Sequence, residues 1–575
     1  MLGSACLVLA SCGGSAGSTP NRLVAIPKGS ALVALKSGTG TVTVVVPAVP
    51  SNLNPHTLEG DAASTRMISA LTDPQVFEVN PSVTPVLDTD FVVSAEVVSV
   101  KPQTVLYQLN PKAVWSDGVT IGAKDFVYNW EEQAGSGTAA PPIVGGYDAA
   151  TTLGYRDIQS ITATTSGDSV RVVFSTPYAD WADLFDDLIP EHVGDVIGWA
   201  SGYGTPSSLA YVSGGPYEIE SWTPGSRIVL VRNPRWWGTP GRVETIVVNA
   251  ATGSSTGTSL RSSDGGDQLS NGSAQVVYTN DFDAEMLDEV SSSPSEESNV
   301  SLGTTMLQLV FDLGSANDQS SDLRQAIALD LNRRQIVSEL VQPLDPNVQV
   351  DDDFLATNAQ HAYTRDGVLY DIPDPQEAAV LLQQAGLTMS ASGTWLSGGA
   401  PVVLNLRWAS GDPWSDLVAP AIQAALVQAG FGVKANPVAS RQLGASTLAD
   451  SNWDLALVPV VSSPYPTQMA ADYSEAQAVT GEGASYDWSG FDAPEVDALF
   501  QEAAIQLNPT KAATYYQQID QMLWQAMPSI PLFAEPSLLE SDAAVSGVEA
   551  AVWGAGPLWK ATRWALLGVA PKHHG

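Results

Sequence analysis

Strand-like and helix-like segments alternate along nearly the whole chain, and that alternation limits the fold more than any other feature. Thr41–Val46 (TVTVVV) is a continuous β-branched run, the pattern of a strand covered on both faces. Arg227–Arg232 (RIVLVR) and Val243–Asn249 (VETIVVN) predict two more strands, set apart by Asn233-Pro234 and Gly238. Ser321–Leu340 predicts a helix: a Ser cap, then Leu323, Ile327 and Leu331 at four-residue spacing. Val402, Leu404, Leu406 and Trp408 alternate as one face of a strand. Val418, Ile422, Ala425, Leu426 and Ala429 then mark a helix stopped by Gly430, and Gly432–Ala435 opens another strand, completing a βαβ unit. Val496, Leu499, Phe500 and Ala503 mark one further helix, and Tyr515, Ile519, Met522 and Leu523 another. With 44% hydrophobic residues and 16 Trp in 575 residues, the chain has the material for large cores. Strands mixed with helices throughout predict an α/β protein of at least two lobes, with no repeat of 20–50 residues and with loops near 251–273 and 291–298.

The charge excludes some functions. Twenty-five Lys and Arg against 62 Asp and Glu give 25 − 62 = −37. Bases are absent from 262–323 and from 442–510. Nucleic acid is excluded as a partner, because phosphate binding needs a basic stripe and none is present. An anionic membrane face would likewise repel the chain.

Attachment to a membrane is predicted by a different feature. Leu2–Ala10 is a short apolar run ending in Leu9-Ala10-Ser11-Cys12, which resembles a bacterial lipobox. Residues 1–12 are therefore expected to be a lipoprotein signal peptide with Cys12 lipidated, and residues 13–40 a tether that begins GGSAGSTPN. The expected location is the outer face of the bacterial cytoplasmic membrane, in the cell envelope. Cys6 and Cys12 are the only cysteines, so the processed chain would hold no disulfide and no thiolate metal site.

Catalytic signatures are missing. There is no P-loop, His-Glu-x-x-His or Cys-x-x-Cys. Gly-x-Ser-x-Gly occurs at Gly13–Gly17 and Gly253–Gly257, without the strand before and helix after that a nucleophile elbow needs. His56, His192, His361 and the tail pair His573-His574 lack ligand spacing. Asp351-Asp352-Asp353 lacks the Gly and distal Glu of a calcium loop and is expected to be a solvated acidic turn. Enzymatic activity has no positive support in the sequence, and no catalytic residue, metal or cofactor is expected.

A set of segments in fixed order resembles the family 5 extracellular solute-binding proteins, the oligopeptide and dipeptide receptors of ABC importers. These are Leu53-Asn54-Pro55; Val114–Trp130 with Trp115-Ser116-Asp117-Gly118 and Ala123-Lys124-Asp125-Phe126; and Ser213–Tyr217 followed by Arg232-Asn233-Pro234 and Trp236-Trp237. Asp322–Arg333, Asp374–Gly386, Phe491–Ala503 and Pro528–Phe533 complete the series. Gly118 and Gly215 suit turns of unusual φ, and Pro494 suits the first turn of a helix. The resemblance implies a periplasmic-binding-protein-like fold (type II, family 5) with a central cleft and a double hinge. Lobe I would comprise 41–300 plus 531–575, with a subdomain at about 70–195, and lobe II would comprise 301–530. A monomer is expected.

One departure bears on the ligand. Peptide-binding members place a Trp and an Asp after a strand of the second lobe, the Asp pairing with the peptide's amino terminus. That strand is similar here to Trp453–Val458, and counting back from Pro466 puts Ser462 at the Asp position and Pro459 at the Trp position. Burying an ammonium without a carboxylate would be costly. The long tether and the lost anchor resemble the actinobacterial LpqW-type lipoproteins. That resemblance implies binding or sensing of a cell-envelope glycolipid precursor, with influence on phosphatidylinositol mannoside and lipoarabinomannan synthesis through membrane enzymes. The alternative is a receptor delivering peptides or another small solute to an ABC permease. The candidate cleft residues are Asn54, His56, Trp408, Trp414, Pro459, Ser462, Ser463, Tyr465, Tyr486 and Trp488, whose aromatics could stack on a glycan.

Overall fold

The computed structural model describes residues 32–135, 149–164, 167–251, 268–269, 271–284, 286–288, 296–439, 452–474 and 487–569. Cys12 and Tyr486 lie outside the described residues. Ten strands form one sheet: β1 (Thr41–Val46), β2 (Tyr217–Thr223), β3 (Arg227–Arg232), β4 (Thr245–Ala250), β5 (Val276–Thr279), β6 (Glu296–Phe311), β7 (Val403–Ser410), β8 (Gly432–Ala439), β9 (Leu455–Val461) and β10 (Ser529–Asp542). Their order across the sheet is β8-β7-β9-β6-β10-β5-β1-β4-β3-β2. β1 pairs in parallel with both β4 and β5, and its Val42, Val44 and Val46 are buried, as a β-branched run predicts.

Two long strands join the halves of this sheet. β6 pairs with β9 through Thr305–Phe311, and β10 pairs with β5 through Leu538–Ser541. Between these stretches β6 and β10 pair with each other, and their register shifts between Leu302 and Met306. Gly303 sits in the shift, where an added Cβ would stand 2.5 Å from the Glu535 carbonyl oxygen. The two halves are thus crossed by two strands with an irregularity at the same level, the arrangement of a two-lobed α/β fold.

Each half has its own core. The helices α1 (Ala63–Thr72) and α2 (Ala123–Gln133) belong to the N-terminal half; the other half's core holds Leu309, Phe311, Ile327, Leu406, Ile422 and Phe500, packed by α3 (Ser321–Asp330), α4 (Pro413–Gln428), α5 (Pro494–Ala504) and α6 (Pro509–Ala526). The core of the N-terminal half holds Val44, Ile68, Tyr217, Ile228, Ile246 and Trp564, with α1. A satellite core of Phe91, Tyr107, Trp115, Phe126, Val172 and Phe185 lies on a separate four-stranded sheet (Val92–Val100, Gln103–Leu109, Ser169–Phe174, Ile158–Ala163) with α2 (Ala123–Gln133). The backbone of Leu32–Ala34, at the end of the expected tether, pairs antiparallel with Leu567–Val569.

The Trp-Ser-Asp-Gly motif is explained by hydrogen bonding. Buried Trp115 donates its indole N–H to Asp125 Oδ1 (3.2 Å). Asp125 also accepts from the Gly122 backbone at its own helix start (2.9 Å) and from Glu191 N (3.1 Å). Gly118 adopts φ +97°, as expected, and Pro494 opens α5. Gly215 has no positive φ; it is needed because a Cβ would stand 2.3 Å from the Leu71 carbonyl oxygen.

Two expectations are corrected. The helix predicted over 321–340 ends at Asp330, because Asn332 accepts from Gln335 N (3.0 Å) and starts a new turn. Asp351-Asp352-Asp353 is not solvated: all three are buried around the fully buried Arg333. The Arg333 guanidinium donates to the carbonyls of Tyr370, Asp351, Pro531 and Gly367 and pairs with Asp352 (3.1 Å) and Asp371 (3.3 Å). Asp352 of this run supplies counter-charge to the internal arginine, while the Asp351 and Asp353 carboxylates accept from Asn358 N and from Leu355 N, Ala356 N and Thr364. Among the described residues no helix is long and apolar enough to cross a membrane.

Candidate functional site

The loop leaving β9 is built to be rigid. Pro459 is exposed at the strand's end, opposite Leu307. Ser462 is fully buried; its backbone N–H donates to Thr304 O (2.8 Å), and its hydroxyl lies 2.7 Å from both Leu355 O and Gln360 Oε1. Ser463 donates to Gln468 Oε1 (2.6 Å) and accepts from Tyr465 N (3.0 Å). Pro466 then begins a short helical turn, Pro466–Met469.

This loop reaches across to the other half of the molecule. Tyr465 OH donates to Ala182 O (3.2 Å), Thr467 N donates to Asp180 Oδ2 (2.9 Å), and Gln468 Nε2 donates to Asp183 Oδ2 (2.6 Å). Beside them Ala179 N donates to Ala504 O (2.6 Å). Three donors within residues 465–468 thus latch this loop to an acidic turn of the other half.

Tyr465 is also in the wall of a cavity of about 80 Å³. Five acids line it: Glu78, Asp88, Asp90, Asp186 and Asp187. Its aromatic walls are Phe77, Trp236, Trp553 and Trp559. Its two bases, Arg66 and Lys560, are both engaged, Arg66 with Asp61 (2.7 Å) and Lys560 with Glu78. Burial, and then the Asp180 charge, pushes Asp183 up to about 7. Burial also raises Asp180 and, together with Asp187 and Asp183, lifts Asp186 well above the ordinary carboxylate range. Asp88 is pushed up to about 7 by burial and by Glu78. The site has concentrated acidity inside low-dielectric walls.

Of the residues expected at the cleft, only Tyr465 lines this cavity, while Ser462 and Ser463 hold its loop. Asn54 is buried and donates to Trp199 O (2.8 Å); His56 stacks on Trp199 with centroids 5.8 Å apart and bonds Asp187 O (3.0 Å). Burial lowers the His56 pKa. Trp414 is in the core between Phe282 and Phe533, because its ring fills the space between α4 and the sheet. Trp408 donates to Asp416 (2.7 Å). Trp488 borders a separate cavity of about 10 Å³ with Asp472, whose carboxyl is raised by burial. Sequence reasoning missed Arg66, Glu78, Asp88, Asp90, Asp180, Asp183, Asp186 and Lys560; the run Asp180-Trp181-Ala182-Asp183 with Asp186-Asp187 was its one visible signal. Among the described residues no group of three or more His, Cys, Asp or Glu is arranged to hold a metal ion.

The family model for bacterial extracellular solute-binding proteins, family 5 Middle, matches residues 84–480. The chain belongs to this family. As a family 5 protein it is 34% identical over 207 residues to the probable monoacyl phosphatidylinositol tetramannoside-binding protein LpqW of Mycobacterium tuberculosis, a match spanning 34% of this chain and 31% of that protein. It is 26% identical over 568 residues to the uncharacterized lipoprotein Rv2585c of Mycobacterium tuberculosis, covering 92% of this chain and 94% of the relative. Among solved structures, the periplasmic EDTA-binding protein EppA superposes with a TM-score of 0.82 at 24% identity, over 94% of this chain and 99% of that one. That likeness establishes the shared fold.

Proposed function

We propose that this family 5 protein is a lipid-anchored receptor on the outer face of the cytoplasmic membrane. It encloses a small, polar, non-anionic solute between its lobes and presents it to an ABC permease. The observation that carries this reading is the latch of Tyr465, Thr467 and Gln468 on Asp180–Asp183, whose Tyr465 also walls a cavity lined by carboxylates and aromatics. A cavity of about 80 Å³ has room for roughly half a dozen waters, far less than the several hundred Å³ of a site for a drug-sized guest. A guest therefore enters with the lobes apart, and closure follows.

The glycolipid reading takes second place, for an electrostatic reason. Five acids against two engaged bases repel a phosphate. Carboxylates and Trp faces nonetheless suit sugar hydroxyls and sugar rings, and the similarity to LpqW supports a mannoside chain entering while its phosphate stays outside. Native mass spectrometry of the purified chain, offered a peptide pool and a phosphatidylinositol mannoside pool, separates the two. Retention of peptides or small solutes supports the leading reading; selective retention of mannosides overturns it in favour of the second.

A further inference from the structure

The cavity already contains one cation, supplied by the chain itself. The Lys560 ammonium sits 5.1 Å from the centroid of the Trp559 ring and is paired with Glu78. A lysine held over an aromatic face and against a carboxylate is the full recognition chemistry for an organic ammonium. Lys560 holds this pose from a left-handed backbone, φ +47°, which non-glycine residues adopt uncommonly.

The same pairing recurs nearby without a lysine. The Asp90 carboxyl carbon and the Trp236 ring both crowd Gly238, each 2.8 Å from where a Cβ would stand. Asp88 accepts the Asp90 backbone N–H (3.0 Å), and both residues line the cavity. Trp553 completes the wall. Counting the lining alone, two bases against five acids leave 2 − 5 = −3.

We infer that the guest is an organic cation, its ammonium or guanidinium held by Asp88 and Asp90 against Trp236 as Lys560 is held by Glu78 against Trp559. This rests on the receptor reading above and names the chemical class its site selects. Peptides with basic side chains, diamines and guanidino compounds fall within the class; phosphates and carboxylates fall outside it. Burial and the Glu78 charge raise Asp88 to about 7, opposed by the Asp90 backbone N–H and by Lys560, so a cation arriving near neutral pH displaces a proton from Asp88.

The test is isothermal titration of the full chain in detergent with 1,4-diaminobutane, arginine amide, butane-1,4-diol, methyl mannoside and inorganic phosphate. The two cations are expected to bind at least about tenfold tighter than the neutral diol, and to release protons when compared in two buffers of different ionisation enthalpy. The double variant Asp88→Asn/Asp90→Asn should lose about tenfold in cation affinity while leaving the melting temperature of the other lobe unchanged. Lys560→Gln, which frees Glu78 and Trp559, should gain affinity for the diamine. Equal or tighter binding of the diol or of phosphate by the unaltered chain overturns the inference, as does undiminished cation binding by a folded double variant. If the mannoside binds and closes the lobes while both cations fail, the inference falls and the receptor reading stands. If no probe or pool closes the lobes, the receptor reading itself falls.

Discussion

Closure of the lobes should be driven by protons, and the latch gives the size of the effect. Asp183 lies at about 7 in the closed form, against an ordinary carboxylate value of about 3.9 for a hydrated group in the open form. The closed-state value is the raised one, so closure is favoured at low pH and this contribution is lost as pH rises through 7. Between pH 8 and pH 5, linkage for this single group amounts to about 2.5 kcal/mol, roughly a hundredfold in the ratio of closed to open. Asp180 and Asp186 are shifted in the same direction, while Arg66 opposes the shift of Asp183 and Asp186, and Tyr465 and Gln468 face the cluster from the other lobe. Single-molecule energy transfer between dyes on residues of the two lobes, read at steps from pH 8 to pH 5, measures the closed fraction. The fraction should rise as pH falls. In Asp183→Asn, which keeps an oxygen acceptor for Gln468 and removes the charge, the proton uptake on closing should fall by about one. A closed fraction that is flat or decreasing as pH falls, or a slope unaltered by Asp183→Asn, would refute the reasoning.

Three further outcomes follow from the geometry. Arg333→Met removes a buried guanidinium bonded to four carbonyls and two carboxylates and leaves Asp352 and Asp371 only the exposed Arg334 and Arg365 as partners, so denaturant unfolding should show a loss of about 3–5 kcal/mol; a loss below about 1 kcal/mol contradicts the assigned network. Tyr465→Phe deletes one interlobe hydrogen bond, worth about 0.5–1.5 kcal/mol, and should speed guest release by about three- to tenfold with little change in melting temperature; unchanged release kinetics would remove Tyr465 from the latch. Cys12→Ala should move the chain from the membrane fraction to the soluble fraction, whereas continued tight anchoring counts against the lipobox.

Local patterns in the sequence report local structure well. The β-branched run at Thr41–Val46 and the βαβ unit whose second strand opens at Gly432 appear where expected, since apolar period and glycine stops act over a few residues. Gly430 indeed turns the chain at φ +103°. The buried setting of Asp351–Asp353 was hidden because its cause, Arg333, is supplied by a separate helix. The site was hidden for the same reason at larger scale. Arg66, Glu78, Asp88, Asp186, Tyr465 and Lys560 span most of the chain and share no spacing, and only tertiary packing brings them to one cavity. Trp414 looked like a stacking platform because an indole in sequence carries no label for core or cleft; here its ring is 1% exposed. The carboxylates that line the cavity carried no comparable signal.

The central claim is that the loop at Tyr465–Gln468 closes over a bound solute by docking on Asp180–Asp183. Amide hydrogen exchange at Thr467, whose N–H donates to Asp180, tests it most directly. The chain stripped of guest by unfolding and refolding should exchange this amide quickly, and adding back the captured solute should slow it, together with the Ala179 amide that donates to Ala504. Equal exchange at both amides with and without a bound solute would contradict the account.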